Sequence, residues 1–223
     1  MKASFSIFRR IYAAALFAGI FQAGAVASAE ELSLVPAPRS VERSEGVFQL
    51  GAEIDVVIDD DGSDEDGLWR DHLRSFGSHV VRLTAGKRTL RLSNERDAAL
   101  RVRRDETLPT EAYRLQISGE GIELRASAQK GLAHGTATLL QLLGTADDGA
   151  LPCLTIRDRP QLAYRSLMID LGRNPHSLDL LKKTVDLLWF YRVDSLHLHL
   201  TDDQRFAFPS TAFPKLWDGK ITR

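Results

Sequence analysis

The pattern of apolar and polar positions changes near residue 160. Beyond that point, residues 164–171 and 195–200 form short apolar runs typical of strands. Between them, Ser177 can cap a helix that runs to about Tyr191 with apolar residues at helical spacing. A strand, a helix and a strand of these lengths predict a βαβ unit, in which the strands are parallel and the crossover is right-handed. The carboxyl ends of both strands are therefore expected to open on the same side.

The chain before residue 160 is predicted to mix strands with two helices. Gly119-Glu120-Gly121 separates two alternating apolar segments and predicts the turn of a hairpin. Helical spacing places Leu68, Leu73 and Phe76 on the core face of the first helix. The predicted elements are strands at 47–50 and 54–58, a helix at 68–80, the hairpin at 113–126 and a helix at 129–143. No group of candidate catalytic or ligand-binding residues is found in this part of the sequence, so its expected role is scaffolding.

Composition narrows the choice of function classes. A chain of 223 residues is long enough for one or two domains with buried cores. Its formal charge of −1 gives no electrostatic reason to expect nucleic acid or an anionic membrane as a partner. The acidic run at 59–67 does not have the spacing of an EF-hand loop and is expected to be a solvated turn. Cys153, the single cysteine, lies in an apolar run and is expected to be a buried, inert thiol.

Residues 1–29 have the pattern of a secretory signal peptide. Lys2, Arg9 and Arg10 precede a long apolar stretch, and small residues at 27–29 fit a cleavage site. The pair of arginines is compatible with either the general or the twin-arginine export route. We therefore expect an exported protein, periplasmic or secreted, with no stable membrane span after cleavage.

Candidate chemistry is concentrated where the second strand of the βαβ unit ends. That strand places His197 and His199 on one face, and Asp202 and Asp203 follow it almost at once. In an α/β barrel the carboxyl end of each strand opens onto the active site. Adjacent carboxylates at such an end therefore predict an active site at this position.

Two motifs in the same region resemble the barrel strands of a known family. Tyr-Arg-Ser-Leu-Met-Ile-Asp-Leu-Gly-Arg at 164–173 is similar to the first barrel strand of the family 20 glycoside hydrolases, the β-N-acetylhexosaminidases. His-Leu-His-Leu-Thr-Asp-Asp-Gln at 197–204, with Phe-Pro-Lys-Leu at 213–216, is similar to the second. The predicted hairpin and the segments 34–38 and 135–143 resemble the small domain that precedes this barrel.

The resemblance implies an α/β fold class with two parts. Residues 30–158 are expected to form a small α+β domain with a mixed sheet and helices, and residues 159–223 the first strands of a TIM (β/α)8 barrel. The implied reaction is hydrolysis of a terminal non-reducing β-linked N-acetylhexosamine, with retention and with the acetamido oxygen of the substrate as nucleophile. The implied partner is an oligosaccharide that ends in this sugar, and no cofactor or metal is implied.

The resemblance also implies roles for individual side chains. Arg165 is expected to bind hydroxyl groups of the terminal sugar, because a guanidinium donates several hydrogen bonds from a rigid fork. The alternative is a structural ion pair between Arg165 and a neighbouring acid such as Asp158 or Asp170. Asp202 is expected to orient a histidine that supports the catalytic acid. Four further candidates lie at the same strand ends: Asp170, Arg173, His199 and Asp203.

The length of the chain limits what it is expected to do alone. Sixty residues follow Ala163, whereas an α/β barrel takes about 250. The aspartate–glutamate pair of the family, which includes the proton donor, and the histidine partner of Asp202 belong to later strands. We therefore expect a truncated member of the family whose polypeptide, as written, has no hexosaminidase activity.

Two other function classes remain open. In the first, a metal-dependent barrel hydrolase, His197 and His199 place two imidazoles on one metal ion. In the second, the chain is a noncatalytic carbohydrate-binding remnant in which Arg165 still contacts sugar. Metal analysis of the purified protein tests the first class, and calorimetry with N-acetylglucosamine tests the second. The choice between gluco- and galacto-configured sugars is open as well.

Overall fold

A computed structural model describes residues 32–59, 64, 66–95, 97–146, 148–203, 206–208 and 210–216. The elements within this part are β1 (Ser40–Gln49), β2 (Glu53–Asp59), α1 (Leu68–Leu83), β3 (Thr89–Leu92), β4 (Leu100–Arg104), β5 (Tyr113–Ser118), β6 (Gly121–Ala126), α2 (Gln129–Thr145), β7 (Ala150–Asp158), β8 (Ser166–Asp170), α3 (Leu178–Phe190), β9 (Ser195–His199) and a short 3₁₀ turn at Pro214–Leu216. The predicted signal peptide at 1–29, most of the acidic run, and Gln204 lie outside the described residues. The described residues from Ser33 onward belong to one compact unit.

Strands β1 to β7 form one mixed sheet, hereafter the large sheet, in the order β1-β7-β5-β6-β4-β2-β3. Strands β5 and β6 are the predicted hairpin, with Ser118 opposite Gly121 at the turn. Strand β7 pairs antiparallel with both β1 and β5, whereas β2 pairs parallel with β3 and β4. The expectation of a mixed sheet with helices is confirmed.

The core of the large sheet lies between its strands and helices α1 and α2. Of the thirteen consecutive positions 131–143 of α2, all except Ala133 are buried, and two glycines allow this close approach. A Cβ at Gly135 would lie 2.3 Å from Leu124 Cδ1, and one at Gly131 would lie 2.3 Å from the carbonyl oxygen of Ala112. In α1 the predicted core residues Leu73 and Phe76 are buried.

Two details of the predicted core need correction. Leu68 was expected to face the core but is exposed, and its neighbour Trp69 is buried instead. The reason is that the buried positions of α1 recur at helical spacing from Trp69, and Leu68 lies one position, about 100°, away from that face. Cys153 is buried on β7, as predicted.

Strands β8 and β9 and helix α3 form the predicted βαβ unit. The two strands pair parallel, with Ser166 opposite Ser195 and Asp170 opposite His199. The Ser177 side chain caps α3 by accepting a hydrogen bond of 3.2 Å from the backbone amide of Leu180. Parallel strands of this kind are usually covered on both faces. Here the strands keep apolar side chains at the surface, and Met168 is 54% exposed.

None of the described helices combines the length and the apolar character that a bilayer crossing requires.

Candidate active site

The carboxyl ends of β8 and β9 bring three candidate side chains together. Asp170 ends β8, His199 ends β9 directly opposite it, and Asp202 follows three residues later. Side-chain atoms of these three residues lie within 4.8 Å of one another. The backbone amides of Leu171 and Gly172 both donate to the carbonyl oxygen of His199, which holds the two strand ends side by side.

Arg173 completes this group, which we call the carboxyl-edge cluster: Asp170, Arg173, His199 and Asp202. Its Nε lies 3.0 Å from Asp202 Oδ2, and its Nη1 lies 3.5 Å from Asp170 Oδ2. Its backbone amide donates to Asp170 Oδ1 at 2.9 Å. The Asp202 side chain is 7% exposed while that of Arg173 is 58% exposed. The buried carboxylate of Asp202 therefore orients the guanidinium of Arg173, whose outer face is open to a ligand. The N–H groups of a guanidinium form a rigid fork of donors that can bind two neighbouring hydroxyl groups.

The other two candidates of the second motif do not join the cluster. His197 and Asp203 are exposed, and neither belongs to the group of closely spaced ligating atoms. Among the described residues, the group of closely spaced ligating atoms includes His199 but not His197. His199 Nε2 is buried and has no hydrogen-bond partner among the described residues.

Arg165 lies at the opposite end of β8. Its Nε donates to the carbonyl oxygen of Arg192 at 2.7 Å, and its Nη2 lies 3.1 Å from Asp194 Oδ2 and 3.4 Å from Glu111 Oε1. Lys130 Nζ lies 3.2 Å from Glu111 Oε1 and 3.6 Å from Asp194 Oδ2. These four charged residues form the amino-edge network: Glu111, Lys130, Arg165 and Asp194.

Arg165 and Asp202 were both expected to serve one active site, but the structure places them at opposite ends of the two strands. Arg165 precedes the first residue of β8, so its side chain leaves at the amino end, whereas Asp202 follows the last residue of β9. Of the two readings considered for Arg165, the geometry agrees with a structural ion pair. Its partners are Glu111 and Asp194, and neither was named in advance. The arginine at the carboxyl edge is Arg173.

The electrostatics of the amino-edge network agree with a structural role. Burial alone would raise the pKa of Glu111, but hydrogen bonds from Lys130 and Arg165 outweigh it and lower this pKa. Burial alone would also raise the pKa of Asp194. The positive charge of Arg165 opposes this effect of burial, and the pKa of this carboxyl is lowered as well. Both carboxylates are thus held ionised against their cationic partners.

A small mixed domain followed by a parallel βαβ unit with carboxylates at its carboxyl edge is the arrangement with which an α/β-barrel enzyme begins. Comparison with family models makes the assignment specific. Residues 31–159 match glycosyl hydrolase family 20, domain 2, and residues 162–222 match the catalytic domain of glycosyl hydrolase family 20. The chain belongs to glycosyl hydrolase family 20.

Curated relatives and solved structures agree with this family. The chain is 31% identical over 195 residues to a beta-hexosaminidase of Vibrio furnissii, a match that covers 85% of this chain and 30% of the relative. It superimposes with a TM-score of 0.70 and 30% identity on the exo beta-N-acetylglucosaminidase of Vibrio harveyi in complex with N-acetylglucosamine, covering 82% of this chain and 28% of that one. For a chitobiase of Flavobacterium johnsoniae the TM-score is 0.71 at 26% identity, with coverages of 85% and 30%. The chain thus spans about a third or less of these relatives.

Proposed function

We propose that this chain supplies part of the active site of a β-N-acetylhexosaminidase, an enzyme that removes a terminal non-reducing β-linked N-acetylhexosamine from an oligosaccharide. The observation that carries the proposal is the carboxyl-edge cluster, where Arg173 lies between the carboxylates of Asp170 and Asp202. The Vibrio harveyi relative was solved with N-acetylglucosamine bound, which supports a sugar as the ligand.

In this proposal Arg173, and not Arg165, binds hydroxyl groups of the terminal sugar. Two carboxylates hold the guanidinium from behind, so its remaining N–H groups are oriented before the sugar arrives. Hydrogen bonds that involve a charged partner contribute about 1.5–3 kcal/mol each. Orientation in advance reduces the entropy that is lost on binding.

Asp202 has a second part in the proposed reaction. Its carboxylate is buried, so it can accept a hydrogen bond from the imidazole of the histidine partner, which belongs to a later barrel strand, and keep that ring in one orientation. The acetamido oxygen of the substrate attacks the anomeric carbon, and the leaving oxygen takes a proton from the catalytic acid. In this scheme the residues of the carboxyl-edge cluster bind the sugar and orient the imidazole.

Export of the protein is part of the same proposal. It is supported by the basic residues Lys2, Arg9 and Arg10 ahead of an apolar stretch and by the small residues at 27–29. A periplasmic or extracellular location suits an enzyme whose substrates are oligosaccharides.

A hybrid enzyme tests the proposed function. The aligned segment of the Vibrio furnissii beta-hexosaminidase is replaced by the corresponding residues of this chain, and release of nitrophenol from 4-nitrophenyl N-acetyl-β-D-glucosaminide is measured. We expect the hybrid to hydrolyse this substrate. A hybrid that folds with the circular dichroism and thermal unfolding of the parent enzyme but releases no nitrophenol would contradict the proposal.

A further inference from the structure

The turn between α3 and β9 contains a buried arginine in an unusual backbone conformation. Arg192 has φ of 59°, in the left-handed region that residues other than glycine seldom adopt. Its side chain is only 6% exposed. A long charged side chain buried on a left-handed backbone requires specific partners, because an unpaired buried charge is strongly destabilising.

These partners belong to the large sheet and to the segment that precedes it. Arg192 Nη1 donates to Asp158 Oδ2, at the last residue of β7, and Arg192 Nη2 donates to the carbonyl oxygen of Pro36 at 2.7 Å. Asp158 is also buried, and its Oδ1 accepts from the backbone amide of Arg39 at 3.1 Å. The guanidinium carbon of Arg192 lies 6.0 Å from the ring centroid of Tyr113. Arg192 of the βαβ unit is thus held by Asp158 of the large sheet and by Pro36 of the segment that precedes it.

The backbone of Arg192 extends this connection to the strands of the βαβ unit. Its carbonyl oxygen accepts from Arg165 Nε at 2.7 Å. The carbonyl oxygen of Arg165 in turn accepts from the backbone amides of Asp194 and Ser195. The start of β8 and the start of β9 are therefore tied together next to the residue that is anchored on Asp158.

The register set at this end determines the geometry at the other. Strands β8 and β9 each contain five residues, and a strand rises about 3.3 Å per residue. The carboxyl-edge cluster consequently lies about 17 Å along the strands from the anchor. A slip of one residue would displace Asp202 from Arg173 by about 3.3 Å and would turn every side chain of β9 to the opposite face.

We propose that Arg192 is a positioning residue that fixes β9 against β8 and thereby sets the distance between Asp202 and Arg173. The link to catalysis rests on the proposed hexosaminidase function, whereas the structural coupling does not. Arg192 acts on the cluster through the two strands, and it touches none of the cluster residues. The large sheet is then the reference surface from which the carboxyl edge is positioned.

Hydrogen exchange and NMR of the full chain test this coupling without any sugar, so its failure is distinct from failure of the proposed function. Three variants are compared: Arg192→Met, Arg192→Lys and the control Arg157→Met. Arg157 neighbours Asp158 in sequence and forms an ion pair of 2.6 Å with Glu42, but this pair is exposed and is expected to contribute little.

For Arg192→Met we expect amide protection in β8 and β9 to fall at least tenfold, while protection in β5 and β6 stays within twofold of the parent. The side-chain ¹H–¹⁵N signals of His199 should shift or broaden, whereas those of His72 in α1 should not. Arg192→Lys keeps the charge beside Asp158 and should restore part of the protection. Arg157→Met should behave like the parent.

Unchanged β9 protection and unchanged His199 signals in Arg192→Met would overturn the proposal. A fall in protection that is equal in both sheets would overturn it too, because it would show general stabilisation instead of positioning. If Arg192→Met does not fold, Arg192→Lys decides. A loss confined to β8 and β9 supports the proposal, and a uniform loss or none overturns it.

Discussion

Acid should destabilise this protein in part through the buried imidazole of His72 in α1. Its Nε2 lies 2.7 Å from Thr136 Oγ1. The Thr136 hydroxyl can donate to the carbonyl oxygen of Leu132 at 2.9 Å, so His72 Nε2–H is the donor in the first contact. The Trp189 ring of α3 and the same imidazole form a T-shaped pair, with ring centroids 6.2 Å apart. A neutral histidine thus fits at the point where α1, α2 and α3 meet.

The size of the effect follows from the pKa of this group. Burial, with a smaller contribution from the charge of His79, lowers the pKa of His72 from 6.5 to about 4. Because the folded state binds this proton less tightly than the unfolded state, the stability supplied by neutral His72 is complete above pH 6.5. It is lost as the pH falls from 6.5 towards 4. Linkage between these two pKa values gives a loss of about 2 kcal/mol between pH 7 and pH 5.

Urea unfolding at pH 7 and pH 5 measures this loss in the parent and in His72→Gln, which cannot be protonated in this range. We expect the parent to lose about 2 kcal/mol more than His72→Gln over that interval. The control His197→Gln removes an exposed imidazole and should keep the pH dependence of the parent. Equal pH dependence in the parent and in His72→Gln would refute the reasoning, since the difference between them isolates this one group.

Two further predictions concern the packing of the large sheet. Gly135→Ala should lower the free energy of unfolding, measured by urea titration, by about 1–3 kcal/mol, because its Cβ would lie 2.3 Å from Leu124 Cδ1. The control Gly119→Ala has open space around its Cβ and should lower that free energy by less than about 1 kcal/mol. Equal effects of the two substitutions would contradict the close packing of α2. Cys153 should react with a thiol reagent such as dithionitrobenzoate only after unfolding in urea, because its side chain is buried; stoichiometric reaction within seconds under native conditions would show that β7 opens readily.

Local patterns were sufficient to predict several elements of the fold. The alternation on either side of Gly119-Glu120-Gly121 gave the β5–β6 hairpin, and helical spacing after Ser177 gave α3. Strands β3 and β4 were not predicted, because they have only four and five residues and alternate apolar residues with arginines. Their parallel pairing with β2 depends on contacts between distant segments, which no local pattern encodes.

The candidate site shows the same limit at the level of single residues. Asp170, Arg173, His199 and Asp202 were all named from the sequence, and the structure brings them together. The family motif contains two arginines and does not by itself show which one lies at the carboxyl end. Arg165 was expected to bind the sugar, and the structure places it at the amino end of β8. A physical signal was present: the apolar run separates them, and only the second arginine follows it. The contact between Arg192 and Asp158 had no sequence signal, since 34 residues separate the partners.

The roles of the two arginines of the first strand motif test the central claim most directly. In the hybrid hexosaminidase, Arg173→Met and Arg165→Met are compared for kcat and KM on 4-nitrophenyl N-acetyl-β-D-glucosaminide. Since a charge-assisted hydrogen bond contributes about 1.5–3 kcal/mol, Arg173→Met should lower kcat/KM by roughly tenfold or more. Arg165→Met should leave KM within about threefold of the hybrid, because the backbone amides of Asp194 and Ser195 still donate to the carbonyl oxygen of residue 165. It should instead lower the temperature of unfolding, because it removes the side-chain contacts of the amino-edge network. The opposite outcome, with Arg165→Met raising KM tenfold and Arg173→Met leaving kcat/KM unchanged, would contradict the assignment of sugar binding to the carboxyl edge.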